Sequence, residues 1–351
     1  MNRKGLVIGL ILLFIGTSII PSTAQNIEKP LPTSSGNWLY VGGSGPGNYT
    51  RIQDAVDNAT DNDTVFVYDD SSPYYENVVI NKASISLIGE DKNTTVIDGS
   101  KKDSVVLIEV DNVKIAGFMM MNGGTGIYIT SQLNTITGNN ICFNGDGIYS
   151  RDESFNGSSN VITGNTIFEN RNIGIYLNAI AKVDIIDNVI FSNQIGILTE
   201  VTKDINLIDN VIFSNNYTGA TIWGTQNCTI TGNIISNNGQ NSQGAGIYLY
   251  SDTNILIRNT FQNNSVGLYV DSGTNRIEEN NFIDNKIHAR TTRSSRETVW
   301  LANYWDNWIG LKFHGPICQR FPKIILSTFW YFWPYLKIID WHPALEPYDI
   351  P

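Results

Sequence analysis

The 351-residue sequence is short of positive charge, with 23 Lys and Arg against 33 Asp and Glu and a net charge of −10. Phosphate recognition needs clustered cations, so a nucleic-acid partner is excluded on charge. Charge of either sign is thin at 16% of residues, while 41% are hydrophobic. That balance is too apolar for disorder and too poor in Lys and Glu for a helical bundle. Soft metal donors are also few: three Cys, four Met and three His, with His288, His314 and His342 all toward the C-terminus. A chain of this length exceeds one compact core unless the fold grows along a single axis.

Residues 1–24 read as a secretory signal. Arg3 and Lys4 precede the apolar run GLVIGLILLFIGTSII, and Ser22-Thr23-Ala24 forms a small-residue cleavage site. Cleavage would leave Gln25 as the mature start, followed by a Pro/Ser linker over 25–37; retention of the run as an anchor is the alternative. A secreted, cell-surface or periplasmic location follows either way. Cysteines in an exported chain invite a disulfide. Cys142 and Cys228, however, fall four repeats apart, about 19 Å at the inter-strand spacing and beyond the ~7 Å Cα limit, so free thiols are expected.

What the sequence has in abundance is asparagine at a fixed interval. Asn139, Asn165, Asn188, Asn210, Asn233, Asn259 and Asn280 are separated by 26, 23, 22, 23, 26 and 21 residues, a solenoid period. Three residues before each stands an apolar residue (Ile136, Ile162, Ile185) and two after stands another (Ile141, Ile167, Ile190). Five after comes a second column, Asn144 through Asn285; five before, Asn134, Asn160, Asn254 and Asn275 form a partial third. The stretches between corners are too short for helices and rich in β-branched residues. The spacing therefore predicts an all-β fold, a right-handed parallel β-helix with three strands per coil. Asparagine suits the corners because it tolerates left-handed backbone and its amide can bond the next coil.

The predicted solenoid spans 38–307. TRIQDAVDNA carries an apolar face of Ile52, Ala55, Val56 and Ala59, with Thr50 and Gln53 as a capping box, and is expected to form a helix over the open N-terminal end. Residues 308–351 are expected to form an aromatic-rich C-terminal cap or envelope-contact segment: six of eight tryptophans fall between Trp300 and Trp341. The uncharged run IILSTFWYFWPYL is shorter than the ~20 residues of a bilayer span, so no span is expected in the mature chain.

From about Trp38 to Asn307 these repeats resemble the pectin-lyase-like superfamily. Within it they are similar to NosD-type periplasmic copper-binding proteins and the carbohydrate-binding and sugar-hydrolase domains. The resemblance implies a β-helix and leaves activity open. Tyr74-Tyr75-Glu76-Asn77 is similar to the entry of pectin methylesterases, but the later catalytic motifs of that family have no counterpart. His314-Gly315 is the only trace of polygalacturonase blocks, and Arg320-Phe321-Pro322-Lys323 lacks the second arginine of pectate lyases.

Three sets of residues are candidates for chemistry. Asp187 and Asp209 share one column in adjacent coils, with Cα atoms about 5 Å apart, where two carboxylates could share calcium or run a retaining glycosidase mechanism. Asp is equally a common turn residue before Asn. Tyr128, Tyr149, Tyr176, Tyr248 and Tyr269 form an outward row, broken at Leu198 and Thr221, that could stack on a polysaccharide or envelope glycan. Met121 stacks over Cys142, a thioether–thiolate pair suited to copper(I), although the same column continues as Phe168, Phe191 and Phe213, a packed apolar row. Sequons such as Asn93-Thr94-Thr95 and Asn156-Gly157-Ser158 could carry glycans. The expected function is glycan binding or envelope structure without catalysis; the alternatives are a lyase, hydrolase or epimerase using the carboxylate pair, or a copper-delivery accessory.

Overall fold

The computed structural model describes residues 36–152, 158–240, 244–308, 323–327, 339–340 and 342–350. The expected leader and nearly all of the linker lie outside the described residues, as do Cys318, His314 and the aromatic run 328–338.

Three parallel sheets of twelve, eleven and eleven strands make up the body of the chain. Each coil gives one short strand to each sheet: Asn160–Thr163 to the first, Thr166–Phe168 to the second and Ile173–Asn178 to the third. Alternation then sends every second residue inward. Ile162, Ile185 and Leu207 lie in register in the first sheet, Ile167, Ile190 and Ile212 in the second, and Ile175, Ile197 and Ala220 in the third. All are fully or almost fully buried. This is the parallel β-helix that the repeat predicts. Cys142 and Cys228 are buried free thiols, as expected from their separation.

The asparagines stand at the corners, but not for the conformational reason expected. Left-handed backbone falls on the residue before each: Gly138, Gly164, Asp187, Asp209, Gly232, Arg258 and Glu279 have φ from 52° to 70°. At the second corner Phe143, Glu169, Ser192 and Ser214 do the same. The asparagine itself is buried, and its amide bonds along the stack. The Asn188 N–H donates to Asn210 Oδ1 (3.0 Å), and the Asn210 N–H to Asn233 Oδ1 (2.9 Å). Asn210 Nδ2 reaches back to Ile185 O at 2.8 Å and forward to Asn233 Oδ1 at 3.0 Å. Corner groups that lack a ladder partner would otherwise be orphaned in the interior.

The N-terminal helix covers Ile52–Asn58, buries Ile52, Ala55 and Val56, and is not closed by the expected capping box. Arg51, not Thr50, stands at the N-cap without a capping side chain. The carboxylate of Glu76, a coil away, accepts from the N–H groups of Ile52 (2.8 Å) and Gln53 (3.0 Å). Gln53 is thereby free to accept from Val79 N (2.7 Å) and donate to Val79 O (3.1 Å), pairing an edge strand. At the other end, Phe261, Phe282 and Trp305 stack inside the last coils at 4.9 and 4.3 Å. There the first ladder stops on Asp340, whose Oδ2 accepts from Asn303 N (2.9 Å), Asn303 Nδ2 (3.1 Å) and Trp305 Nε1 (3.1 Å).

Asn210→Ala leaves the Asn188 N–H without its acceptor, and removes one of the three acceptors of the Asn188 amide and the side-chain donor to Ile185 O. With one buried N–H orphaned and two further hydrogen bonds lost, each at roughly 1 kcal/mol or more, a loss of about 3 kcal/mol is expected in urea unfolding. Asn216→Ala, at an exposed corner position, should change the transition by less than about 0.5 kcal/mol.

Candidate functional site

Period-two alternation along the third sheet points two columns outward. Tyr128, Tyr149, Tyr176, Leu198, Thr221, Tyr248 and Tyr269 are in register, and Arg290 follows. The tyrosine row therefore exists, and all five rings are half-buried. Tyr128 and Tyr149 lie 4.9 Å apart at 3° between planes, and Tyr149 and Tyr176 4.8 Å apart at 12°. The rings are offset-stacked on one another, so the central ring has neighbours over both faces. What this run turns to solvent is chiefly ring edges and hydroxyls, not the open row of faces expected for sugar stacking. Tyr248 and Tyr269 meet edge-on at 63°, and Arg290 lies 5.9 Å over the Tyr269 ring.

Two residues further along each strand runs a second column: Arg151, Asn178, Glu200, Trp223 and Tyr250. Trp223 is 57% exposed and Tyr250 37%, and Tyr217, just before the same strand as Trp223, is 45% exposed. These are the open aromatic surfaces of the sheet. Beside the break at Leu198 and Thr221, the Tyr176 hydroxyl donates to Glu200 Oε2, and Asn178 Nδ2 donates to both groups at 3.1 Å. Burial, and then the Glu200 carboxylate, push the Tyr176 phenol well above the tyrosine range. Burial likewise raises Tyr149, and pushes Tyr250 up to about 12. The strip is thus hydroxyl-rich, with the Glu200 carboxylate near its middle and Arg151 and Arg290 toward its ends. At the corner that follows this sheet, Asp252, Ser272, Thr274, Ser294, Arg296 and Glu297 border an open recess of about 720 Å³.

Asp187 and Asp209 are both exposed, in adjacent coils, on the left-handed corner residue. Asp209 Oδ1 occupies the space over Gly232, where a Cβ would come within 1.8 Å of it. That carboxylate leans to the coil beyond, away from Asp187. Calcium takes six to eight oxygens, and among the described residues no three His, Cys, Asp or Glu gather closely enough to hold a metal ion. Met121 and Cys142 are paired in register on the second sheet. Burial, with Glu169 second, pushes the Cys142 thiol up to about 12. The thiol is fully buried, and among the described residues it belongs to no group of three His, Cys, Asp or Glu. Beyond it Phe168, Phe191 and Phe213 stack at 5.1 and 4.9 Å as the expected apolar row.

Sequence reasoning overlooked Tyr250, Tyr217, Glu200 and Asn178. Tyr250 could have been found, since it stands two residues beyond Tyr248 on the same face. Glu200 could not, because its role depends on where the Tyr176 hydroxyl points.

A family model described as "Periplasmic copper-binding protein (NosD)" matches residues 150–310, and one for a protein of unknown function (DUF1565) matches 76–217. A cell surface glycoprotein of Methanothermus fervidus is 30% identical over 141 residues, 40% of this chain and 21% of that protein. The chain thus spans about a fifth of that relative's length. Among solved structures, a pectate lyase superposes with a TM-score of 0.56 at 15% identity, over 77% of this chain and 80% of the other. The A-module of a mannuronan C-5 epimerase from Azotobacter vinelandii gives 0.55 at 13%, over 72% and 87%. The catalytic unit of an α-1,3-glucanase from Streptomyces thermodiastaticus gives 0.53 at 16%, over 72% and 56%. At such identities the likeness is one of fold, and the fold is a pectin-lyase-like parallel β-helix.

The contact between Tyr176 and Glu200 is open to spectroscopic test. In ultraviolet difference titration Tyr176 should ionise later than an ordinary tyrosine, and Glu200→Gln should bring it down without reaching the free value, because burial remains the larger cause.

Proposed function

We propose that this chain is an exported surface β-helix whose third sheet holds a glycan without cleaving it. The observation that carries the reading is the strip itself: Trp223, Tyr217 and Tyr250 expose aromatic surface beside the hydroxyls of the tyrosine row and the Glu200–Asn178 pair. Sugars present apolar C–H faces ringed by hydroxyls, so open rings next to polar acceptors are the chemistry that matches them. Coils repeat every ~4.8 Å, close to the rise of one hexose, so a polymer lying along the axis would meet equivalent positions coil after coil. The location draws support from the periplasmic description of the matched family model and from the surface glycoprotein relative. The polysaccharide-acting neighbours are compatible with a glycan partner. No helix among the described residues is long and apolar enough to cross a membrane. The lean of the Asp209 carboxylate over Gly232, away from the coil of Asp187, favours binding over turnover.

The test is incubation of the mature protein with a panel of polysaccharides, following retention and product release together. Retention without release is expected. At about 1 kcal/mol per ring, Trp223→Ala with Tyr250→Ala should weaken retention on the order of 30-fold, and serine at Tyr128, Tyr149 and Tyr176 should weaken it further through lost edges and hydroxyls. Product release that disappears in Asp187→Asn would replace binding by catalysis, and retention indifferent to all five aromatic changes would remove the site.

A further inference from the structure

The chain uses asparagine in two ways that never overlap. A ladder asparagine is followed two residues later by an inward apolar side chain at the first corner, such as Ile167, Ile190 or Phe261, and by Ile136 or Leu256 after the third-corner asparagines. That position cannot be Ser or Thr without putting a hydroxyl in the core. In the second ladder too, from Asn144 to Asn285, no asparagine has Ser or Thr two residues on. Asn-x-Ser/Thr triplets occur instead at Asn58, Asn62, Asn93, Asn216, Asn227 and Asn263, every one of them exposed. Asn48 is half-buried, and Asn156 lies outside the described residues.

We propose that these exposed asparagines, five outside regular elements and Asn58 at the end of the N-terminal helix, are acceptors for N-linked oligosaccharide, so that the solenoid is itself glycosylated. In the transfer, Asn Nδ2 forms a bond to the anomeric carbon of a lipid-phosphate-linked oligosaccharide. The anomeric C–O bond breaks, the lipid phosphate leaves with its electron pair, and Nδ2 loses one proton. The product amide keeps one N–H. A ladder amide could not give up the other: Asn188 Nδ2 serves Ile162 O (2.8 Å), Ile186 O (3.0 Å) and Asn210 Oδ1 (3.1 Å). The sequon amides lie at the surface, where Asn93 Nδ2 donates to Asp91 Oδ1 (2.9 Å) and Asn227 Nδ2 to Asp204 Oδ1 (3.1 Å), contacts that one remaining N–H can supply. The hydroxyls of Thr64, Thr95 and Thr218, two residues after Asn62, Asn93 and Asn216, are buried in the folded coil. Transfer at those three therefore precedes coil closure. On the closed coil, Asn216 and Asn227 bracket the strand Thr218–Trp223, so their glycans would stand at both edges of the aromatic strip.

This inference rests on the exported reading above. The experiment is glycopeptide mass spectrometry on full-length protein recovered outside its own cells. Glycan mass is expected on the exposed sequons, with one glycan lost in Asn216→Gln and every ladder asparagine bare. Asn112 supplies a gain test: it is exposed at φ 60°, much like Asn227 at 55°, but is followed by the exposed Lys114. Lys114→Thr should add one glycan there. Exported protein bare at all six positions, with no gain from Lys114→Thr, overturns glycosylation and leaves export standing. Protein found only in the cytoplasm overturns both.

Discussion

A coil that turns three tight corners in 21 to 26 residues removes backbone groups from its sheets at every turn, and the asparagine amide is what accounts for them. One carboxamide supplies an acceptor to the coil before it and donors to carbonyls on either side, at 2.8–3.1 Å through the middle of the stack. A left-handed residue immediately ahead aims that amide inward. Remove either and the corner holds orphaned polar groups in an apolar interior. Because the ladder repeats once per coil, it also sets the vertical register of everything else. The stacked isoleucines inside and the stacked tyrosines and phenylalanines outside inherit their spacing from it.

How much of this was legible depends on whether a feature repeats. Ile162, Ile185 and Leu207 announce a column because each stands three residues before an asparagine, and a column in sequence becomes a column in space. The left-handed slot was illegible because Gly232, Asp209 and Arg258 all occupy it. The corner imposes that backbone regardless of side chain, so no residue type marks it. Glu76 was invisible as a helix cap because its partners are a full coil away, and Asp340 because a single carboxylate has no period. For the candidate site, the outward direction of Tyr128, Tyr149 and Tyr176 followed from alternation, but ring orientation did not. Whether a ring offers its face or its edge depends on the neighbour above, and a ladder of identical rings satisfies its own faces first.

The same separation explains why function is hard to read in such a chain. Inward and corner positions are committed to the stack, which leaves the outward positions to vary. On the third sheet one column runs tyrosine, leucine, threonine, tyrosine, while the next runs Arg151, Asn178, Glu200, Trp223, Tyr250. Neither series is required by the fold. An irregular series on a regular scaffold is where selection for a partner can act, and it is the part that periodicity cannot interpret.

The Asp340 contact has a consequence for length. In each ladder step the asparagine N–H donates to the Oδ1 of the following coil, so the stack has a polarity, like a filament with unlike ends. Asparagine, being both donor and acceptor, has no means of stopping; a further coil would always find a partner. A carboxylate accepts from Asn303 and Trp305 but returns no N–H, so it ends the series as a chain terminator ends a polymerisation. Nothing in the interior counts coils. The extent of the molecule is set at its boundary, and whole coils could be gained or lost between Glu76 and Asp340 with both closures left unchanged.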